Sequence, residues 1–245
     1  MRHHILTTGI SLLTNFGNSR SPRIPPHEVV RFHKDVKSYL LSDPEKACAE
    51  INSLNARTQF LKKRPRDLGV TLIFTKTREG KMVASLLKQL LKESGISPIY
   101  EIPIKGLDKP AKDATPDWAQ QNVTEALTGL RRSVLEHISR LHSKNPDAQI
   151  ELNCTGGYKA EIAVLYEVGR TLRVPVYYLH ETFNIADQVA MIANGRIVAQ
   201  GTPDELRAST DPLVMQFVGA HADGPVHFHQ PAVPVAQDFG LGVAA

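Results

Sequence analysis

Cysteine is nearly absent. Cys48 and Cys154 are the only two in 245 residues, and they form no CxxC or other ligand pair. That excludes a disulfide scaffold and a zinc ribbon, and it makes a reducing cytoplasm the expected location. No apolar run approaches the ~20 residues that a membrane span needs, so none is expected. The opening MRHHILTTG holds only a brief apolar segment, which reads as a first core strand rather than a signal peptide. Two phosphate motifs are missing as well. GxxxxGK(S/T) does not occur and GxGxxG does not follow the first strand, so neither a P-loop ATPase nor a dinucleotide enzyme is expected.

What the chain has is a split charge. Its net charge is +4, yet residues 184–245 hold Arg196 and Arg207 against Asp187, Asp204, Glu205, Asp211, Asp223 and Asp238, a balance of −4. Residues 1–183 therefore carry +8, a basic body suited to a polyanion such as a nucleotide or RNA.

Five apolar runs of strand length alternate with helical patterns. The runs are His3–Thr8, Val70–Thr75, Ile99–Ile104, Gln149–Asn153 and Pro175–Leu179, rich in Val, Ile and Tyr and bounded by turn residues. Helical spacing is expected over 27–41, 44–60, 80–94, 116–143 and 157–172. Such alternation predicts an α/β fold, a Rossmann-like mostly parallel sheet with helices on both faces. Ligands in that architecture bind beyond the carboxyl ends of the strands. Residues 184–219 differ in texture. VAMIANGRIVAQG reads as a β-hairpin about Asn194-Gly195, and TPDEL starts a helix with Thr202 as N-cap and Pro203 at its first position. This small hairpin/helix appendage is followed by a flexible or docking tail over 220–245.

Two polar turns at strand ends are the candidate site. Thr7-Thr8-Gly9-Ile10-Ser11-Leu12-Leu13-Thr14-Asn15 leaves the first strand. Gly9 permits close backbone approach, and Ser11, Thr14 and Asn15 offer hydroxyl and amide groups. The same residues also suit an ordinary polar turn with an N-cap. Asn153-Cys154-Thr155-Gly156-Gly157-Tyr158-Lys159 leaves the fourth strand and opens a helix. Paired glycines there leave N–H groups for an anion, and the helix N-terminus adds positive potential. Lys159 opposes the helix dipole, which a bound anion would explain.

TGxSLLTN after the first strand, with NxTGGxK later, resembles the CARF domain (CRISPR-associated Rossmann fold). The group it is most similar to is that of the ring nucleases and type III CRISPR ribonucleases. Ala47–Leu54 (ACAEINSL) and VPVYYLHETF add to the likeness, which covers residues 1–183. The resemblance implies a homodimer that binds a cyclic oligoadenylate, tetra- or hexa-adenylate, and no DNA. Thr8, Gly9, Ser11 and Asn15 would form one ligand turn; Asn153, Thr155, Gly156, Gly157 and Lys159 would form the other. It further implies metal-independent ring cleavage without a cofactor. A ribose 2′-OH attacks the adjacent phosphodiester to leave 2′,3′-cyclic phosphate ends, with Ser11 and Lys159 as the catalytic pair around the developing charge.

The remainder supplies no effector domain. Arg132 and His137 match R-x4–6-H, a ribonuclease signature, but lie inside an expected helix at a spacing that separates their faces. NIADQVAMIANGRIVAQGTPDELRAS and the chain after it resemble the C-terminal end of an ABC-transporter ATPase, the tail type of phospholipid-transport systems. Without a P-loop, His180 at the switch-histidine position has no ATP to serve, and the segment is expected to act as a dimer clasp or to engage a protein partner through 184–245. His221, His227 and His229 are read as uncommitted tail residues, so no metal is expected.

Overall fold

The computed structural model describes residues 1–106, 116–179, 189–193, 196–219 and 224–225. The chain divides into two compact units, Met1–Leu179 and His180–Ala245.

The first unit is a five-stranded parallel sheet. Its strands are β1 (Arg2–Thr7), β2 (Leu68–Thr75), β3 (Ile99–Ile104), β4 (Gln149–Asn153) and β5 (Val176–Tyr177), in the order β3-β2-β1-β4-β5. β2 is buried at all eight positions, as a central strand covered on both faces must be. β1 pairs with β2 on one side and β4 on the other, Leu6 lying beside both Leu72 and Asn153. The order reverses between β1 and β4. There the chain ends of neighbouring strands open a crevice, the usual ligand position of such sheets.

Nine helices are described in this unit: α1 (Ser11–Asn18), α2 (Pro26–Val29), α3 (His33–Ser42), α4 (Pro44–Ala47), α5 (Ala49–Thr58), α6 (Phe60–Lys63), α7 (Arg78–Glu93), α8 (Pro116–Lys144) and α9 (Lys159–Leu172). One face of the sheet packs Leu6, Leu68, Val70 and Leu72 against Leu12, Phe16, Leu54, Val83 and Leu87. The other packs Ile5, Ile73 and Ile150 against Leu130, Val134, Ile138, Leu165 and Val168 of α8 and α9. The α/β architecture expected from the alternation is therefore present, with helices on both faces.

Four local expectations need correction. The turn after β1 does not run to Asn15; helix begins at Ser11, because Leu12, Leu13 and Phe16 form a buried stripe. The helix expected over 44–60 is broken at Cys48, whose extended backbone (φ −144°, ψ 118°) re-aims the chain, and again at Gln59 in the left-handed region (φ 55°). The helix expected over 27–41 is likewise two pieces. β5 spans only two of the five residues expected.

The second unit has a core of its own. β6 (Val189–Ala193) and β7 (Arg196–Gly201) pair antiparallel, followed by α10 (Pro203–Arg207) and α11 (Pro212–Val218), which bury Met191, Leu206 and Val214. Thr202 does cap α10: its hydroxyl accepts from the Glu205 N–H at 3.3 Å, while Glu205 Oε2 accepts from the Thr202 N–H at 2.8 Å. Asn194-Gly195, His180, His221, His227, His229 and residues 226–245 lie outside the described residues.

Candidate functional site

The two turns touch because their strands are neighbours. β1 and β4 run parallel side by side, so both turns leave the same sheet edge. The contact is tight at Gly9: a Cβ there would lie 2.9 Å from the Gly157 backbone nitrogen. Thr7 ties the strand end across, its hydroxyl donating to the Gly156 carbonyl at 2.5 Å.

Between the turns sits a side chain that the motif reading overlooked. Glu50, 1% exposed, is in the first turn of α5. Its Oε1 accepts from the Gly9 N–H at 2.6 Å, and its Oε2 accepts from the Ser11 hydroxyl and the Cys48 thiol, each at 3.0 Å. The α5 N-terminus offers favourable potential to that carboxylate. A Cβ on Gly156 would fall onto it. Three residues on, and so on the same helical face, Ser53 accepts from Asn153 Nδ2 at 2.7 Å. One face of α5 thus serves both turns. The available signal was an acid and a serine three apart in the largely apolar ACAEINSL.

The nine residues expected to meet a ligand are in different situations. Thr8 is buried and its hydroxyl turns back to the Ile73 carbonyl at 2.9 Å. Asn153 is buried too, its Oδ1 accepting from the Thr155 N–H. Asn15 is spent on the Lys46 and Ala47 carbonyls at 3.4 and 3.2 Å, tethering α1 to α4. Thr155 accepts from the Leu179 N–H at 3.0 Å. Gly9, Ser11 and Gly156 are half-buried around Glu50, Gly157 is half-buried against Thr7 and Glu161, and Lys159 is exposed as the first residue of α9. Ser11 is likewise the first residue of α1, so the hydroxyl and the ammonium both belong to helix starts at this edge.

A second acid lies underneath. Glu161 is fully buried; Oε2 accepts from the Tyr158 N–H at 3.0 Å, and Oε1 has no partner among the described residues. Burial lifts its pKa to about 7, the Tyr158 bond opposing. Gly157, at φ +92°, leaves the room this carboxyl and Thr7 require. The glycines are therefore demanded by packing, and the inward side of the site is acidic while Lys159 supplies the positive charge outside. The Cys48 and Cys154 thiols are pushed up by burial, Cys154 to about 12, and are poor nucleophiles.

The R-x4–6-H pair is separated as expected. Arg132 is exposed, whereas His137 is buried, its Nε2 sharing the Thr71 hydroxyl with His3 Nε2 at 2.7 Å each. Among the described residues no cluster of three His, Cys, Asp or Glu could hold a metal, and no helix is long and apolar enough to cross a membrane.

A family model described as a CRISPR-associated protein (Cas_APE2256) matches residues 45–189, more than half of the sequence. The chain belongs to this CRISPR-associated family. The matched span includes Glu50, Ser53 and the whole second turn; the first turn precedes it. Similar solved structures include Csm6 of Enterococcus italicus bound to cyclic hexa-2′-fluoro-hexa-dAMP (11% identity, TM-score 0.36, 98% of this chain and 44% of that one). Another is Can2 of Sulfobacillus thermosulfidooxidans in complex with cyclic tetra-adenylate (14% identity, TM-score 0.33, 80% and 36%). A different likeness covers 65 residues, 26% of this chain. They are 42% identical to the intermembrane phospholipid transport ATP-binding protein MlaF of Escherichia coli K12 and span 24% of it. The daunorubicin/doxorubicin resistance ATP-binding protein DrrA of Streptomyces peucetius is 34% identical over 56 residues, 17% of its length. The chain thus spans about a quarter or less of these curated relatives.

Proposed function

We propose that this CRISPR-associated chain is a homodimeric receptor for a cyclic oligoadenylate, cyclic tetra-adenylate first, in type III antiviral signalling. We propose further that it opens the ring as a metal-independent nuclease. The observation that carries the reading is the meeting of the two glycine turns at the β1–β4 switch point, with Ser11 and Lys159 at helix starts beside them. Ligand contacts fall to Gly9, Ser11, Thr155, Gly156, Gly157 and Lys159, while Thr8, Asn15 and Asn153 hold the turns in shape. In the reaction a ribose 2′-oxygen attacks the neighbouring phosphorus and the 5′-oxygen departs. Lys159 offsets the charge that develops on the phosphoryl oxygens, and the Ser11 oxygen lies at the reacting hydroxyl.

The test is incubation of pure protein with labelled cyclic tetra-adenylate in EDTA. Linear products with 2′,3′-cyclic phosphate ends are expected; a ring intact at excess protein removes the nuclease claim, and calorimetry without binding removes the receptor claim.

A second reading has an observation of its own. The C-terminal unit buries a separate core yet exposes Ile197, Val198, Met215 and Phe217. On that reading the chain is a non-catalytic sensor whose residues 184–245 engage a protein partner.

A further inference from the structure

The Ser11 hydroxyl has one proton, and it points at Glu50. A serine whose proton is already donated presents only lone pairs outward, so toward a ligand it acts as an acceptor. Among the described residues Glu50 reaches solvent only through what it touches: it is 1% exposed, and its oxygens meet Gly9, Ser11 and Cys48. Of these three donors only the Ser11 oxygen can also face a ligand hydroxyl and take a proton from it. The Gly9 amide cannot exchange roles, and the Cys48 thiol is itself buried.

Resting on the ring-opening reading above, we propose that Glu50 is the positioning residue that draws the proton from the attacking ribose hydroxyl, through Ser11. As the O2′–P bond forms, the 2′-OH proton passes to Ser11 Oγ and the Ser11 proton passes to Glu50 Oε2. The P–O5′ bond breaks with its electron pair on O5′, which takes a proton from water. Glu50 afterwards returns its proton to solvent by the same path, so the reaction is a net isomerisation of the phosphodiester with no proton gained or lost. The chemistry selects its ligand class: a phosphodiester with a free neighbouring hydroxyl, hence a ribonucleotide ring and not its deoxy counterpart.

This arrangement also accounts for Gly156. Any side chain there would displace the carboxylate from Ser11.

The test compares Glu50→Gln, Ser11→Ala and the double variant with wild type, reading ring affinity and single-turnover cleavage separately. Glu50→Gln should bind the ring within about threefold of wild type yet cleave at least ~100-fold more slowly. The double variant should be no slower than the slower single, since both substitutions break one relay. Multiplying effects, or a Glu50→Gln variant as fast as wild type, overturn the relay and leave the nuclease reading standing. A wild type that binds the ring and never opens it overturns both. Should Glu50→Gln fail to fold, wild-type cleavage in mixtures of light and heavy water decides: the relay moves the 2′-OH and Ser11 protons together and so gives a curved dependence on deuterium content, and a straight line, one proton in flight, overturns the proposal.

Discussion

Gly156 and Glu50 claim the same space: a Cβ on the glycine would overlap the carboxylate that holds the Gly9 N–H and the Ser11 hydroxyl. Gly156→Ala should therefore cost ~1–3 kcal/mol of stability through overpacking, read as a lowered denaturant midpoint with an unchanged slope. Gly129, in the interior of α8, is the contrast, since a methyl added there would meet nothing within 4 Å among the described residues. Gly129→Ala should raise stability by about 0.5–1 kcal/mol.

Acid should unfold the protein early. His3, His4 and His137 are buried, and burial is the leading cause that lowers their pKa values from 6.5 to about 3, 4 and 4. The neighbouring His137 adds to the effect on His3, and Arg140 and Lys144 add to that on His137. A depressed histidine pKa means that the unfolded chain binds the proton first. The stability it contributes is complete above pH 6.5 and falls as pH drops from there toward the folded value, at about 1.4 kcal/mol per unit for each group. Urea unfolding at pH 7, 6 and 5 should show midpoints declining in that window.

Glu161 acts in the opposite direction. Its pKa is raised from 4.5 to about 7, so its contribution is intact below pH 4.5 and is lost as pH climbs through 7. Glu161→Gln removes the charge that must be buried. The variant should melt higher than wild type at pH 8, and the gap should close by pH 5.

Lys159 is exposed, so Lys159→Ala should leave the melting temperature unchanged. Loss of one charge-assisted contact to a phosphate, ~1.5–3 kcal/mol, should weaken ring binding about 10- to 100-fold. The dependence of affinity on salt should become shallower as well.

Truncation after Phe183 separates the two functional readings. The sheet unit has its own two-faced core. The shortened chain is expected to fold and to cleave the ring at the wild-type rate; full ring binding with lost capture of a protein partner would favour the sensor.

Periodicity made most of the sheet legible. The bounds expected for β3 and β4 coincide with the observed strands, and β2 gains only Leu68 and Gly69. Short-range signals also served for Thr202 and Pro203, where cap and helix lie within four residues. What escaped was set by distance along the chain. Glu50 meets Gly9 across 41 residues and Asn153 meets Ser53 across 100, so neither pairing leaves a local pattern. The glycines were visible, but the packing demand on them was not: Gly156 must leave space for an acid 106 residues earlier in the chain. Asn15 looked like a ligand group because nothing near it in sequence discloses that its amide is engaged 31 and 32 residues away.

Because Glu50 and Ser53 stand on adjacent turns of the ten-residue α5, the two lips of the crevice share a single lever. Moving one lip without the other would break a hydrogen bond that ties it to α5, so separate opening of the two halves carries that cost.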